Sequence, residues 1–349
     1  MLPDQTALYK ACRDLGFPDC PDANHPDSTG VGPFPINNVN RIRQSVAVTY
    51  LTTTARNRTN LSIQANATVH RVIFEGAKAA GVEVMRERMF EKIEADEVIL
   101  SGGAIGSPQL LMLSGIGPSD QLRALDIEVV ADLPGVGQKL CDYPTNNMHW
   151  HLRKEAPLED REYWHQIGLR YTSSKNGRRN DMVIYPGLNP HEGILFFRPS
   201  VNFARGSGEL ALSSTNPYNQ PTLNYRCFEN DLDRKHQREC VRLCWEIVQH
   251  KAFAGIVESP MTPSTENLFS KETLDDWILA GADTGHRTSC TCKMGPVSDK
   301  IAVVDQKGRV HGIQNLRVAD ASIFPHCIRA NINATIMMAA ERIAEWMVN

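Results

Sequence analysis

The sequence predicts an α/β fold, α+β overall, in which a domain with a parallel sheet is interrupted by a domain with an antiparallel sheet. Three observations predict it. The apolar run Glu97–Ser101 stops at a Gly-Gly pair, as a buried parallel strand does when it enters a tight turn. Short β-rich runs separated by turn residues fill positions 148–225. A strand at Asn315–Asp320 and a helix from about Asn333 to Met347 then return to the α/β pattern.

Length, charge and composition exclude several classes of protein. The chain has 349 residues, which suits two domains of roughly 150 residues each. Its net charge of −3 offers no basic surface for nucleic acid. The most apolar stretch, Val98–Ile116, is interrupted by glycines and a proline, so no run approaches the ~18 residues of a membrane span. The N-terminus predicts an amphipathic helix and no secretory signal, so the nine cysteines predict reduced thiols in a cytoplasmic protein.

Further elements follow from local patterns. Pro, Gly, Asn and Asp crowd residues 19–40, which predicts a long ordered loop. Residues 60–75 alternate apolar and polar side chains in two runs, as half-buried strands do. Ser107 and Pro108 suit the cap and the first position of a helix that continues through the apolar residues after them.

The cysteines favour structural roles over metal binding. Glu229–Phe253 has the apolar spacing of a helix, and Cys240 and Cys244 lie one turn apart on it, as core residues do. Cys290 and Cys292 form a C-x-C pair, and no second pair with metal-ligand spacing accompanies them. We therefore predict structural thiols and no metal site.

The most specific signal is the string GAIGSPQLLMLSGIGP at 103–118. It predicts a Gly-rich turn after a strand and then a helix N-terminus, where backbone N–H groups approach a phosphate or a nucleotide closely. Tight packing of a helix on a strand explains a bare Gly-Gly turn equally well, but the full string is far more specific.

With two other motifs, this string resembles the glucose–methanol–choline (GMC) flavin oxidoreductase family. The second motif is TCKMG at 291–295, continued by residues 302–325 and by NINATIMM at 331–338. The third is GVGPF at 30–34, followed by RQS at 43–45. The chain resembles the C-terminal two-thirds of such a protein, from its first helix to its end.

The resemblance implies an incomplete Rossmann-like FAD-binding domain interrupted by an antiparallel-sheet substrate domain. The implied parts are a connecting helix and loop at 1–50, the middle of the FAD-binding domain at 51–140, the substrate domain at 141–285, and the end of the FAD-binding domain with the active site at 286–349. The family's first strand and G-x-G-x-x-G loop are not in this sequence. We expect a truncated gene or gene model, or alternatively a partner chain that supplies the missing βαβ unit. The isolated chain should then present an unpaired apolar sheet edge.

The resemblance also implies which residues contact FAD. Val69 corresponds to a residue whose backbone meets the adenine, and 101–104 to the turn beside the adenosine half. Residues 320–321 correspond to a strand end near the pyrophosphate. Residues 333–335 open the last helix, whose N-terminal dipole stabilises negative charge at the flavin, although Asn333 is also explained as an ordinary N-cap. The implied FAD residues are Val69, Ser101, Gly102, Gly103, Ala104, Asp320, Ala321, Asn333, Ala334 and Thr335.

His286 and Asn331 are the catalytic pair that the resemblance implies. The family transfers a hydride from an alcohol carbon to flavin N5, and a base, usually His, takes the hydroxyl proton. The residue that positions the substrate oxygen corresponds to Asn331, whereas the base position falls on Arg287. Either a one-residue bulge lets His286 act as the base, or Arg287 occupies the site, accepts no proton and is suited to a substrate carboxylate. His326 is a further base candidate, which a surface-loop position explains as well.

The prediction from sequence is a GMC-type, FAD-dependent alcohol oxidase or dehydrogenase. Its partners are a small alcohol and an electron acceptor, either oxygen or a carrier. The alternatives are a lyase or decarboxylase on the same flavin fold, and an inactive or split fragment that needs a partner chain for FAD. Residues 199–225 are similar to the family's large antiparallel sheet, but its aromatic residues name no particular alcohol.

Overall fold

The computed structural model describes residues 1–156, 165–174 and 178–348. Two short 3₁₀ turns are present, at Lys251–Phe253 and Ala321–Ile323. The α-helices of the described residues are α1 (Pro3–Asp14), α2 (Val46–Thr49), α3 (Thr53–Arg56), α4 (Gly103–Leu113), α5 (Ser119–Ala124), α6 (Asp231–Gln249), α7 (Thr265–Phe269), α8 (Lys271–Ala280) and α9 (Ile332–Val348).

The strands of the first half of the chain are β1 (Gly30–Pro33), β2 (Asn38–Val39), β3 (Ile42–Arg43), β4 (Thr68–Glu75), β5 (Lys78–Arg86), β6 (Met89–Glu94), β7 (Val98–Leu100), β8 (Ile116–Gly117), β9 (Ala131–Asp132), β10 (Gln138–Leu140), β11 (Met148–Leu152) and β12 (Ile167–Tyr171). Those of the second half are β13 (Met182–Asn189), β14 (Ile194–Val201), β15 (Gly208–Ala211), β16 (Thr222–Asn224), β17 (Val257–Thr262) and β18 (Leu316–Val318).

The largest sheet has the strand order β1-β12-β13-β14-β11-β17, and every neighbouring pair is antiparallel. α6 packs against β13 and β14. The helix begins where the Asn230 side chain accepts the N–H groups of Leu232 and Asp233, and its Cys240 and Cys244 are buried in the core shared with the sheet. The predicted antiparallel sheet and helix are therefore confirmed, and both cysteines are core residues.

A second core surrounds the parallel pair β7 and β18. Buried residues of both strands pack with α4 and with Ile343 of α9. The strand predicted at Glu97–Ser101 is thus confirmed, and with it the α/β fold, α+β overall. Within the described part of the chain, β18 is the only strand that pairs with β7. Ile99, in the middle of β7, is 43% exposed.

Three expectations from local patterns are wrong in detail. Of the two runs in 60–75, only the second is a strand, since β4 begins at Thr68. Residues 19–40 are not all loop, because they contain β1. In this strand Gly30 and Gly32 lie closer to the carbonyl oxygens of residues 18 and 20 than a residue with a Cβ could. Of 199–225, only the end of β14 belongs to the large sheet, whereas β15 and β16 form a separate sheet with β10.

Across the described ranges, no helix combines the length and the apolar composition needed to cross a membrane. All nine cysteines are free.

Candidate active site

A cleft of about 980 Å³ opens between the large sheet and the N-terminus of α9. Its lining comes from the loops around β1, from β12, β13 and β14, and from the segments 285–287 and 327–335. Among the residues predicted from sequence, it is lined by His286, Arg287, Asn331 and residues 333–335. The fold therefore brings the predicted catalytic residues together with the start of the last helix.

The side chain of Arg287 is directed at Asn331. Its Nε and Nη2 donate to Oδ1 of Asn331 at 3.2 and 3.0 Å, and its Nη1 donates to the carbonyl oxygen of Gly285. His286 is exposed, has a φ of +57° and donates its backbone N–H to Oγ1 of Thr284 at 2.9 Å. Both His286 and Arg287 border the cleft, and Arg287 is the one that contacts Asn331.

The loop of these residues is fixed by Asp142, a buried residue that sequence reasoning missed. Its Oδ1 accepts the backbone N–H groups of Tyr143 at 2.7 Å and Arg287 at 2.8 Å, and its Oδ2 accepts the Thr284 hydroxyl. The hydroxyl of Tyr143 contacts two carbonyl oxygens of the loop before α9. Asp142 and Tyr143 thus set the position of Arg287 relative to Asn331, and no local pattern marks them because their partners lie far away in sequence.

The sheet contributes two further polar groups that no motif indicated. His165 donates from Nδ1 to the carbonyl oxygen of Pro186. Burial lowers the pKa of His165, that hydrogen bond raises it, and the charges of Arg198 and Arg287 lower it further. Arg198 donates from Nη2 to the carbonyl oxygen of Thr284 at 3.3 Å. This side of the cleft therefore holds an imidazole whose pKa is lowered, beside the positive charges of Arg198 and Arg287.

The predicted FAD residues of β7 and β18 meet where these parallel strands end. Oδ2 of Asp320 accepts the N–H of Gly103 at 2.9 Å and the hydroxyl of Ser107 at 2.5 Å. Because the carboxyl ends of neighbouring parallel strands lie at one edge of a sheet, residues 101–104 and 320–321 form a single turn region.

The predicted start of α4 is wrong. The helix begins at Gly103, so Ser107 is not its cap and Pro108 lies inside it. A proline has no N–H, which leaves the carbonyl oxygen of Ala104 without its intrahelical partner. Thr291 replaces that partner by donating from Oγ1 at 2.7 Å. α4 starts before the predicted position because groups distant in sequence form hydrogen bonds with the backbone N–H and C=O groups of its first turn.

The turn and the start of α9 both have a free side. Gly103 has a φ of +77°, which favours glycine, and a Cβ built there meets no atom within 4 Å, so this side of the turn is open. Gly106 is equally open. α9 begins at Ile332, so Asn333 lies in its first turn and is not the N-cap expected. The positive end of this long helix faces the cleft at 333–335.

Of the residues predicted from sequence, 101–104 and 320–321 do not line the cleft, and neither do Val69 and His326. Val69 is half-buried in β4, which joins α4 through the N–H of Val72, a donor to Oγ of Ser114 at 2.8 Å. His326 borders a second cavity of about 370 Å³, where Lys139 donates to its Nδ1 at 3.0 Å. Burial and the charge of Lys139 lower the pKa of His326.

Comparisons with known proteins agree with one another. Two family models, both described as GMC oxidoreductase, match residues 2–145 and 204–340. Mitochondrial choline dehydrogenase of Mus musculus is 36% identical over 98% of this chain and 63% of its own length. Oxygen-dependent choline dehydrogenase of Yersinia pseudotuberculosis is 32% identical over 97% of this chain and 65% of its own length. The chain thus spans less than two thirds of the length of these curated relatives.

The crystal structure of pyridoxine 4-oxidase from Mesorbium loti superimposes on this chain with a TM-score of 0.91 at 27% identity. The superposition covers 99% of this chain and 70% of that one.

Proposed function

The chain belongs to the GMC oxidoreductase family, and from this premise we propose that it oxidises the CH–OH group of an alcohol with FAD as cofactor. The observation that supports the proposal is that the N-terminus of α9 opens into the same cleft as His286, Arg287 and Asn331. When bound, FAD supplies the N5 atom that accepts a hydride from the alcohol carbon.

The residues present fit two parts of FAD. The N–H groups in the first turn of α9 stabilise negative charge on a flavin. The open side of Gly103 leaves room for a ligand group close to the backbone, and Asp320 holds that turn in shape. The G-x-G-x-x-G loop of the family is not in this sequence, and we propose that FAD binds through the residues that are present. The proposed contacts are Val69, Ser101, Gly102, Gly103, Ala104, Asp320, Ala321, Asn333, Ala334 and Thr335.

In the proposed reaction His286 takes the hydroxyl proton of the alcohol. Arg287 cannot take it, because a guanidinium stays protonated. Arg287 instead binds Oδ1 of Asn331, which leaves the Nδ2 hydrogens of that amide to donate to the substrate oxygen. The amide and the guanidinium charge together stabilise this oxygen as its proton leaves.

We also propose the division of the chain that the sequence predicts. Residues 1–50 form a connecting helix and loop, residues 51–140 and 286–349 contact FAD, and residues 141–285 cover the substrate. Two cores support most of it, one joining α6 with β13 and β14, the other joining β7, β18 and α9, although Leu210 and Leu212 pack in the second core.

Anaerobic reduction of the flavin tests the proposed function. The protein, expressed with any residues that its gene encodes ahead of Met1, is purified, and its bound flavin is measured by absorbance. A panel of alcohols that includes choline and pyridoxine is then added without oxygen. We expect bound FAD that at least one alcohol bleaches, and oxygen or an artificial carrier should restore the colour. Protein without flavin, or flavin that no alcohol bleaches, overturns the proposal. Turnover with the flavin still oxidised indicates a lyase or decarboxylase instead.

A further inference from the structure

The cleft is strongly cationic. Among the described residues no Asp or Glu lines it. Only one of its arginines, Arg198, has an ion pair within the described ranges, at 3.4 Å from the half-exposed Asp283. Guanidinium groups keep their charge at any physiological pH, so the cleft favours an anion. The arginines that line it are Arg43, Arg170, Arg198, Arg287 and Arg329.

Two of these arginines have a buried donor without a partner. Nε of Arg170 and Nε of Arg198 are buried, and neither finds an acceptor among the described residues. Neither nitrogen is open to the cleft, but the side chain of Arg198 as a whole is 25% exposed, so its charge acts on a ligand bound there. Arg198 lies on β14 opposite Tyr185 of β13, and both side chains line the cleft.

Arg198 and Arg287 are held at adjacent peptide groups. Arg198 donates from Nη2 to the carbonyl oxygen of Thr284 at 3.3 Å, and Arg287 donates from Nη1 to that of Gly285. Both positive charges are therefore attached to the segment 284–285, and both side chains line the cleft. An anion bound in the cleft is attracted by both charges.

The aromatic side chains of the cleft suit a cationic ligand poorly. Phe34 and Tyr185 stack on each other with ring centroids 5.2 Å apart, which covers one face of each ring. The guanidinium of Arg178 lies 4.4 Å from the centroid of Phe203, so a cation already occupies that face. One face of each of these rings is therefore taken, and the described lining has no carboxylate to balance the charge of a quaternary ammonium group.

We propose that the alcohol oxidised in this cleft is a small hydroxy acid whose carboxylate binds Arg198 and whose hydroxyl-bearing carbon lies beside Asn331 and Arg287. This inference rests on the proposed function and names its substrate class. The positive charge of Arg198, with no Asp or Glu in the described lining, favours a carboxylate at this position. On oxidation the C–H and O–H bonds of the carbinol break and a C=O bond forms. The hydride goes to the flavin and the proton to the base, so the hydroxy acid becomes an oxo acid and its carboxylate is unchanged.

Matched substrate pairs test the inference with the holoenzyme. Anaerobic flavin reduction is measured with lactate against isopropanol and with mandelate against phenylethanol, in which a methyl group replaces the carboxylate, and with choline. We expect the acids to have the higher kcat/KM. Arg198→Met should raise KM roughly 10- to 100-fold for the acids, and by much less for the neutral alcohol of each pair. Arg198→Lys keeps the charge with fewer donors and should fall between. Arg123→Met, at an exposed arginine of α5, is the control and should change nothing. Preference for the neutral alcohols or choline, or an equal effect of Arg198→Met on both members of a pair, overturns the inference.

Binding of acids that cannot be oxidised separates this inference from the proposed function. Propionate and phenylacetate, which lack the hydroxyl group, are titrated into the wild type, Arg198→Met and Arg198→Lys by calorimetry, after circular dichroism has established that each is folded. We expect binding to the wild type that Arg198→Met weakens roughly 10- to 100-fold. If these acids bind and no alcohol reduces the flavin, the proposed function fails and the anion site stands. If they do not bind, the inference fails even where alcohols reduce the flavin. Loss of FAD from Arg198→Met with acid binding unchanged assigns the arginine to the cofactor and also overturns it.

Discussion

The hydroxyl of Ser107 donates to Oδ2 of Asp320 at 2.5 Å, a buried hydrogen bond between residues 213 positions apart. It joins the first turns of α4 to the end of β18. The same carboxylate accepts the N–H of Gly103 at 2.9 Å through Oδ2 and the N–H of Ser322 at 2.8 Å through Oδ1. One side chain therefore holds the whole turn that we propose for FAD.

Asp320→Asn should destabilise the protein. Both oxygens of the carboxylate accept hydrogen bonds, whereas an amide has only one oxygen that can accept. One or more of the donors Gly103, Ser107 and Ser322 therefore loses its buried acceptor. We expect the free energy of unfolding, measured by urea denaturation, to fall by about 1–3 kcal/mol. The control is Asp132→Asn, at an exposed carboxylate that accepts one backbone N–H, and it should change the value by less than about 0.5 kcal/mol. Equal effects of the two substitutions contradict the role assigned to Asp320.

These contacts show which parts of the fold are predictable from sequence. α6 and the strand at 97–101 follow from the spacing of apolar residues within one segment, and both are present as expected. The start of α4 does not follow, because Asp320 decides it and lies in another strand. The pattern around Ser107 and Pro108 is that of an ordinary helix start, and only the folded chain shows that the helix is already four residues long there.

The same holds for the candidate site. Family motifs locate Arg287 and Asn331, but their contact depends on how two loops are held together by Asp142 and Tyr143. Arg198 belongs to no motif that we recognised. The side chain of Arg198 lines the cleft because of the register of β13 and β14. A sequence pattern that marks both faces of a buried sheet as apolar does not indicate which polar residue faces a ligand.

Thr291→Val should cost stability that a second substitution restores. The hydroxyl of Thr291 is the donor that replaces the missing N–H of Pro108 at the carbonyl oxygen of Ala104. Valine keeps the shape and removes the donor, so the free energy of unfolding should fall by about 1–3 kcal/mol. Pro108→Ala added to it supplies a backbone N–H to the same oxygen and should recover about 1 kcal/mol. Urea denaturation of the four proteins of this double-mutant cycle measures the coupling, and strictly additive effects refute the compensation.

Stability should decline in mild acid, partly through His165. Burial and the charges of Arg198 and Arg287 lower the pKa of His165 in the folded protein, so the unfolded chain binds the proton first as the pH falls. Stability present above about pH 6.5 is therefore lost below it. We expect Tm to fall less between about pH 7.5 and about pH 5.5 in His165→Gln than in the wild type. The exposed His191 gives the control His191→Gln, which should follow the wild type. A His165→Gln profile parallel to the wild type rules out this source of acid sensitivity.

His286 and Arg287, neighbours in sequence, should have separable roles in flavin reduction. His286→Ala is expected to slow reduction by the substrate about 10²–10⁴-fold, the range for loss of a general base, because Arg287 cannot accept the proton in its place. Arg287→Met retains the base but frees Oδ1 of Asn331, so KM should rise. Stopped-flow reduction measured over a range of substrate concentrations separates the two, since the limiting rate should fall most in His286→Ala. His191→Ala, at an exposed loop position, should behave as the wild type. A limiting rate unchanged in His286→Ala would mean that another group takes the proton.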